Sequence, residues 1–483
     1  MQNVLKKLAG PLGGVLTSGI MWQSTGDFEL SRMAGIAIWM ALWWILESVS
    51  LYITALLPLV LYPIAGIMSM QAVAPLYTHE IIFLFIGGFL LAFSLEKWNL
   101  HTRLAWQILR YTGSDARGVL LGSMLSAWAL SMWISNIAAL LMLLPAVRGI
   151  AEAGVSTEST ESKGRFNTAL LLGLAYACSL GGIATLVGTA PNMIFLAFYE
   201  KNFPTDTPLT FLTWMLTAFP ISALMFAFTY WLLVKLFVDK GLTIKLNSSS
   251  EAELFQQFNR LNSNEIKVLS LFLLTVILWC FREDIAINQY YIPGWSGLLP
   301  WPEMIKDSTV AILMSILLLL IPDDKGSTLL TWKEVQKIPL GILFLFGGGF
   351  ALAEGIQKSG LSEWIGNHLM QLSTLSPWII VIILATFMTF FTEITSNTAA
   401  TYLVLPIVLS LSKMVDLPPL ALLMPVVISA SMAFMLPVAT PPNTVIFSTE
   451  TIRIQDMAKT GFILNIAGIV IITGVTYLAN ILF

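Results

Sequence analysis

The sequence predicts an all-α polytopic membrane protein of two inverted-topology repeats, with about 11 transmembrane helices and two re-entrant hairpins with discontinuous helices. Three observations carry that prediction: the composition, the lengths of the apolar runs and a duplicated motif. Of 483 residues, 57% are hydrophobic and 11% charged. Soluble domains carry about 25% charged residues, so this chain lacks the charge to cover soluble surfaces and most of its exterior must face lipid. With 33 Gly, 22 Pro and 2 Cys, it is not collagen-like, low-complexity or framed by disulfides. Cys178 and Cys280 sit inside apolar stretches and read as small core residues. The net charge of -3 says nothing about partners.

A bilayer core takes about 20 mainly apolar residues per helix. Candidate segments run from Ala34 to Ser50, Leu51 to Met70, Ile81 to Leu95, Gly118 to Ile150, Phe166 to Phe198, Leu209 to Leu236, Val268 to Phe281, Val310 to Ile321, Leu340 to Ile356, Trp378 to Ser412, Leu420 to Phe447 and Phe462 to Phe483. The stretch from Leu8 to Trp22 is interrupted by Gly and Pro, and reads as a short first span or an interfacial helix. No small-residue cleavage site follows Lys6 and Lys7, so a signal peptide is not expected.

Segments 118–151 and 378–412 are too long for one crossing, and each carries a Ser-Asn pair near its middle. Both read as hairpins that enter and leave on one side. Non-helical backbone at membrane depth is tolerated only against protein or a water-filled cavity, so the tips should line a site. With the N-terminus in the cytoplasm, eleven crossings and two hairpins put 19 of the 25 Lys and Arg residues inside and 6 outside. Turning either hairpin into a full crossing degrades that bias.

The internal repeat is explicit. FLFIGGFLLAFSLEKWNL from Phe83 aligns without gaps to FLFGGGFALAEGIQKSGL from Phe344, with 10 of 18 identities at an offset of 261. The same offset carries Ser135-Asn136 onto Ser396-Asn397 and Pro145 onto Pro406. GTAPN from Gly188 then pairs with ATPPN from Ala439 at an offset of 251, which places ten extra residues in the polar loop from Ala151 to Arg165. The expected organisation is an N-terminal segment 1–33, repeat 1 over 34–238, a cytoplasmic linker 239–267 and repeat 2 over 268–483. In repeat 1 the scaffold helices cover 34–96, the hairpin 118–151, a broken helix 166–198 and a last helix 209–236. In repeat 2 they cover 268–356, 378–412, 418–449 and 462–483. Five crossings per half, an odd number, invert the second copy relative to the first, a recurrent plan of secondary transporters.

The tips read Ser131-Met-Trp-Ile-Ser135-Asn136-Ile137 and Thr392-Glu-Ile-Thr395-Ser396-Asn397-Thr398. In each, a hydroxyl precedes the Ser-Asn pair by one helical turn. Hydroxyl and amide oxygens, with carbonyls freed by a helix break, are hard neutral ligands suited to Na⁺. Opposite them, the breaks at Gly188 to Asn192 and Ala439 to Asn443 expose carbonyls on one side and the N-H groups of a following half-helix on the other. A helix N-terminus favours an anion. None of the basic residues falls within these four motifs, so an anion held there would recruit Na⁺ for charge balance. Alone, a Ser-Asn pair or a Pro-Asn break is a packing or kink element; four of them, duplicated and symmetric, read as a site.

Ionisable groups inside a membrane are functional by default. Glu393 lies in the second tip opposite Met132, and either orients the tip, neighbours a cation or makes structural hydrogen bonds. Glu47 and Glu96 lie at span ends, where scaffold roles are expected. His79, His101 and His368 show no metal-ligand spacing, and no zincin helix, nucleophile elbow or phosphate loop is present, which argues against an enzyme.

The paired tips, YACSLGGIATLVGTAPN from Tyr176, LPVATPPN from Leu436 and ESVSLYITALLPLVLYPIAGI from Glu47 together resemble the divalent anion:sodium symporter family. The resemblance covers nearly the whole chain from about Arg32. It implies Na⁺-coupled import of a dicarboxylate of the succinate, malate or fumarate type, by a homodimer whose transport domain moves as an elevator against a scaffold. It implies a first Na⁺ site of Ser131, Ser135, Asn136 and the Gly188 carbonyl, and a second of Thr392, Thr395, Asn397 and the Ala439 carbonyl. Substrate carboxylates would meet Ser135, Asn136, Ser396, Asn397 and Thr398, with Thr189, Thr440 and Pro441 nearby. The family's first tip is Ser-Asn-Thr; Ile137 stands here in place of the Thr and removes one expected hydroxyl from the substrate. The expected location is the bacterial inner membrane, with a cytoplasmic N-terminus. The rival readings are a Na⁺-independent exchanger, a tricarboxylate or sulfate carrier of the same fold and, more distantly, an ion channel.

Overall fold

The computed structural model describes residues 2–113, 115–153, 160–204, 209–239, 261–287, 290–369, 375–415 and 417–482. Residues 240–260 of the expected cytoplasmic linker lie outside that set. The chain is helical almost throughout. Among the described residues, six helices are long and apolar enough to cross a membrane, and shorter apolar helices accompany them.

The two halves repeat element for element. Repeat 1 has helices Phe28–Ile45, Leu51–Ala55 with Leu57–Ala65, and Glu80–Lys97, then a short helix Leu100–Thr112, a hairpin of Ala116–Ser131 and Asn136–Ala153, a broken helix of Thr160–Ala184 and Ala190–Asn202, and Phe211–Phe237. Repeat 2 runs Ser263–Cys280, Asp307–Leu320, Leu340–Lys358, Leu361–Leu369, the hairpin Pro377–Phe391 and Asn397–Ser412, the broken helix Pro419–Ser429 and Pro441–Phe447, and Ile454–Leu482.

The duplicated glycine motif is where the halves interlock. A Cβ on Gly87 would sit 2.5 Å from the Ala311 side chain, and one on its counterpart Gly348 would sit 2.3 Å from the Ala55 carbonyl oxygen. The third helix of each repeat therefore packs on the second helix of the other. Small residues allow that approach where lipid supplies no hydrophobic drive between helices.

Several expectations change. The weak stretch Leu8 to Trp22 belongs to one helix, Gln2–Thr25, packed along Phe28–Ile45. Its glycines are contact points: a Cβ on Gly10 would meet Trp43 at 2.5 Å, and one on Gly14 would meet the Gly35 carbonyl at 2.7 Å. Residues that weakened the apolar signal are thus the packing face. Helices Leu100–Thr112 and Leu361–Leu369, which link scaffold to hairpin, were not expected. Neither was the antiparallel pair Ile285–Ile287 with Tyr290–Ile292, in which Ala286 faces Tyr291. The loop assigned from Ala151 to Arg165 is helical from Thr160, and the last helix begins at Ile454 rather than Phe462.

The ion pairs respect the expected sidedness. Lys97–Glu334 at 3.7 Å, Arg103–Glu265 at 2.8 Å, Arg165–Asp239 at 3.2 Å and Lys267–Asp324 at 3.6 Å each join segments assigned to the N-terminal side. Lys201–Glu354 and Arg282–Asp307 join segments assigned to the other side.

Candidate anion and cation site

Each hairpin breaks where a hydroxyl can bond the amide of its Asn. Ser131 Oγ donates to Asn136 Oδ1 at 2.7 Å, and Thr392 Oγ1 donates to Asn397 Oδ1 at 2.8 Å. The two tips therefore share one geometry, as their spacing implied. Ser131 and Thr392 are fully buried, whereas Ser135, Asn136, Ser396, Asn397 and Thr398 are half-buried. Ser135 Oγ accepts from the Ala138 N-H at 3.4 Å. Thr395 is buried, and its hydroxyl has no partner among the described residues, which leaves it free to bind a cation. Ile137 is 38% exposed at the first tip, so the position that lacks the hydroxyl is open to a ligand.

Glycines bring the first tip to the first break. A Cβ on Gly182 would lie 2.4 Å from Asn136 Oδ1, and one on Gly188 would lie 2.5 Å from the Gly182 carbonyl. Ser131, Asn136, Gly182 and Gly188 thus converge. At the second tip the break supplies the Ala430 carbonyl, which lies 2.8 Å from Thr392 Oγ1 and shares that hydroxyl's one proton with Asn397 Oδ1. Ala439 is buried, with its N-H bonded to the Leu436 carbonyl at 3.2 Å. Motif carry-over overlooked Ala430, because a carbonyl has no signature in sequence.

Asn192 and Asn443 close the two breaks, a role the sequence reading did not assign them. Asn192 Nδ2 donates to the carbonyls of Gly182 at 2.9 Å and Thr185 at 2.7 Å. Asn443 Nδ2 donates to the carbonyls of Ala433 and Leu436, both at 3.1 Å. These acceptors match at the same offset of 251, so one pin is used twice. The last letter of GTAPN and ATPPN was the available signal. Thr189 and Thr440 cap the following half-helices with extended backbone; Thr440 Oγ1 accepts from the Asn443 N-H at 3.3 Å. Pro441, exposed, opens a half-helix of 7 residues, against 13 for Ala190–Asn202, so its dipole is the weaker of the two.

Half-helix Ala190–Asn202 packs on hairpin arm Asn397–Ser412, while Pro441–Phe447 packs on Asn136–Ala153. Each break is thereby set beside the other repeat's hairpin, and the polar motifs meet where the repeats meet.

Glu393 is 3% exposed. Its Oε1 accepts from the N-H groups of Phe434 at 2.8 Å and Met435 at 2.9 Å and from Asn465 Nδ2 at 2.7 Å; Oε2 accepts from the Leu436 N-H at 3.1 Å. Of the three roles considered, the structure shows hydrogen bonding to the second break.

A separate, small polar cleft is lined by Glu80, Leu196, Glu200, Arg282, Lys306 and Asp307. Burial, assisted by Glu80 and Asp307 against Lys306 and Arg282, pushes the Glu200 carboxyl up to about 7.

The family model described as the sodium:sulfate symporter transmembrane region matches residues 27–483. A sodium-dependent dicarboxylate transporter, SdcS of Staphylococcus saprophyticus, is 36% identical over 97% of this chain and 90% of its own. SdcS of Staphylococcus aureus is 36% identical over the same shares. A solved structure of Neisseria gonorrhoeae MtrF, described as one of a class of antimetabolite efflux pumps, has a TM-score of 0.56 at 12% identity, covering 84% of this chain and 83% of that one. That likeness concerns the fold alone. With nearly the full length matched, the chain belongs to the sodium:sulfate symporter family, which is the divalent anion:sodium symporter family, as an integral membrane protein.

Proposed function

We propose that this protein is a Na⁺-coupled symporter of a dicarboxylate of the succinate, malate or fumarate type. The observation that carries the reading is the duplicated hydroxyl–amide pair, Ser131 with Asn136 and Thr392 with Asn397, in a chain whose relatives are named sodium-dependent dicarboxylate transporters. Two neutral oxygen-rich sites hold two Na⁺, and their charge balances a dianion that no Lys or Arg of the four motifs can balance. The first site uses Ser131, Ser135, Asn136 and the Gly188 carbonyl. The second uses Thr392, Thr395, Asn397 and the Ala439 carbonyl, with Ala430 added. Ser135, Asn136, Ser396, Asn397 and Thr398 take the carboxylates, and Thr189, Thr440, Pro441 and Ile137 frame them. Each cation beyond charge balance moves charge worth about 2.3 kcal/mol per 100 mV.

The hairpins and broken helices form the transport domain, and the first three helices of each repeat form the scaffold of a homodimer. The domain moves as an elevator in the bacterial inner membrane, with the N-terminus in the cytoplasm; the charge bias supports this orientation.

The test is uptake of labelled succinate into proteoliposomes under an inward Na⁺ gradient, with and without trapped dicarboxylate. Na⁺-driven uptake without internal substrate is expected. Uptake indifferent to Na⁺ but dependent on internal dicarboxylate would instead establish an exchanger.

A further inference from the structure

The second break differs from the first in shape, and a carboxylate stands where they differ. In repeat 1 the helix stays wound to Ala184, so its last N-H groups are bonded within the helix. In repeat 2 the helix stops at Ser429, and Ala430 to Thr440 are unwound. At the offset of 251 Ala184 corresponds to Met435, so the second helix ends six residues earlier than the first. Unwinding frees the N-H groups of Phe434, Met435 and Leu436 inside the membrane, where each orphan is costly. Glu393 takes all three, and Asn465 closes the set. Among the described residues no ion pair reaches Glu393. In the first copy Met132 replaces Glu393, and Trp214, at the position of Asn465, donates to the Ile183 carbonyl instead.

We propose that Glu393 and Asn465 form a clamp that holds the unwound segment in the shape presenting its carbonyls to the second cation site. Glu393 is a positioning residue that acts through the loop and does not ligate the cation. Its neighbour Thr392 bonds both Asn397 and the Ala430 carbonyl. A loop displaced at Phe434 to Leu436 therefore displaces one wall of that site, whereas the first break is held by its own bonds from Asn192, Thr185 and Trp214. The inference rests on the sodium reading above.

The test compares wild type, Glu393→Gln, Glu393→Asp and Asn465→Ala as purified full-length protein. It measures Na⁺ activation of labelled succinate uptake in proteoliposomes and Na⁺-induced thermal stabilisation in detergent without substrate. In Glu393→Gln an amide NH₂ faces at least one N-H donor. The Na⁺ concentration for half-maximal uptake should rise about tenfold, the equivalent of one lost hydrogen bond to a charged group. The succinate KM at saturating Na⁺ should stay within about twofold. Glu393→Asp should recover part of the shift. Asn465→Ala, which removes one donor and spares the carboxylate, should shift the curve about threefold in the same direction, and it carries the test if Glu393→Gln does not fold. An unshifted Na⁺ curve in folded Asn465→Ala or folded Glu393→Gln overturns the clamp, as does a loss in which succinate KM at saturating Na⁺ worsens equally. Absence of Na⁺ dependence already in wild type would remove the sodium reading itself, and the clamp with it.

Discussion

The two breaks solve one problem in two ways. Both must expose carbonyls beside a hairpin tip without leaving backbone donors unpaired in a low-dielectric interior. The first does so economically in length: Thr160–Ala184 stays helical until five residues before Ala190–Asn202, and Asn192 pins the turn. The second unwinds earlier, from Ala430, and Glu393 and Asn465 join the matching pin from Asn443 there. Internal symmetry therefore preserves the ligand positions at the tips while the support behind them diverges.

The largest expected effect tests what the halves share. Asn136→Ala and Asn397→Ala should each lower Na⁺-driven succinate uptake by about a hundredfold or more, the equivalent of about 3 kcal/mol, with a retained melting transition. Near-normal uptake in either would remove that tip from the site. A second pair separates the halves. Asn192→Ala removes the side chain that bonds two carbonyls of the first turn and should cost about 2–3 kcal/mol of stability, whereas Asn443→Ala leaves Glu393 on the second loop and should cost about half as much; thermal denaturation of both variants in one detergent ranks them. Equal losses would mean that the clamp adds nothing to the loop.

Ile137→Thr addresses the one unmatched position at the tips. Supplying the missing hydroxyl should strengthen succinate binding by up to about tenfold and reorder the preference among dicarboxylates in competition assays. An unchanged order would show that this position does not meet substrate. A pH-dependent effect lies at Glu200 on the half-helix Ala190–Asn202. Glu200 has its carboxyl raised to about 7, so its protonated form is favoured in this conformation. Its contribution to stability is complete below about pH 4.5 and is lost as pH rises towards and through 7, amounting to at most about 3 kcal/mol. Glu200→Gln should flatten the fall in melting temperature between pH 5 and 8; an unchanged slope would assign that fall to other groups.

The tips were legible because Ser, Thr and Asn inside an apolar run are conspicuous, and because duplication repeats the signal at one offset. The first helix was obscured because hydropathy counts Gly10, Gly13 and Gly14 as weak residues, although their lack of side chain is what lets Phe28–Ile45 approach. The role of Glu393 was not legible. Its partners are backbone N-H groups 41 to 43 positions away, and they become donors only once that helix unwinds.

Hydropathy and self-similarity are local or additive properties of a chain, so the sequence by itself determined the membrane class, the hairpins and the paired polar motifs. Which helix packs on which repeat, that Ala430 offers its carbonyl to the second tip, and that Glu393 braces a loop rather than standing free are matters of non-local hydrogen bonding and close packing. Those were decided by the tertiary structure, because a backbone group's need for a partner depends on whether its own helix has already supplied one.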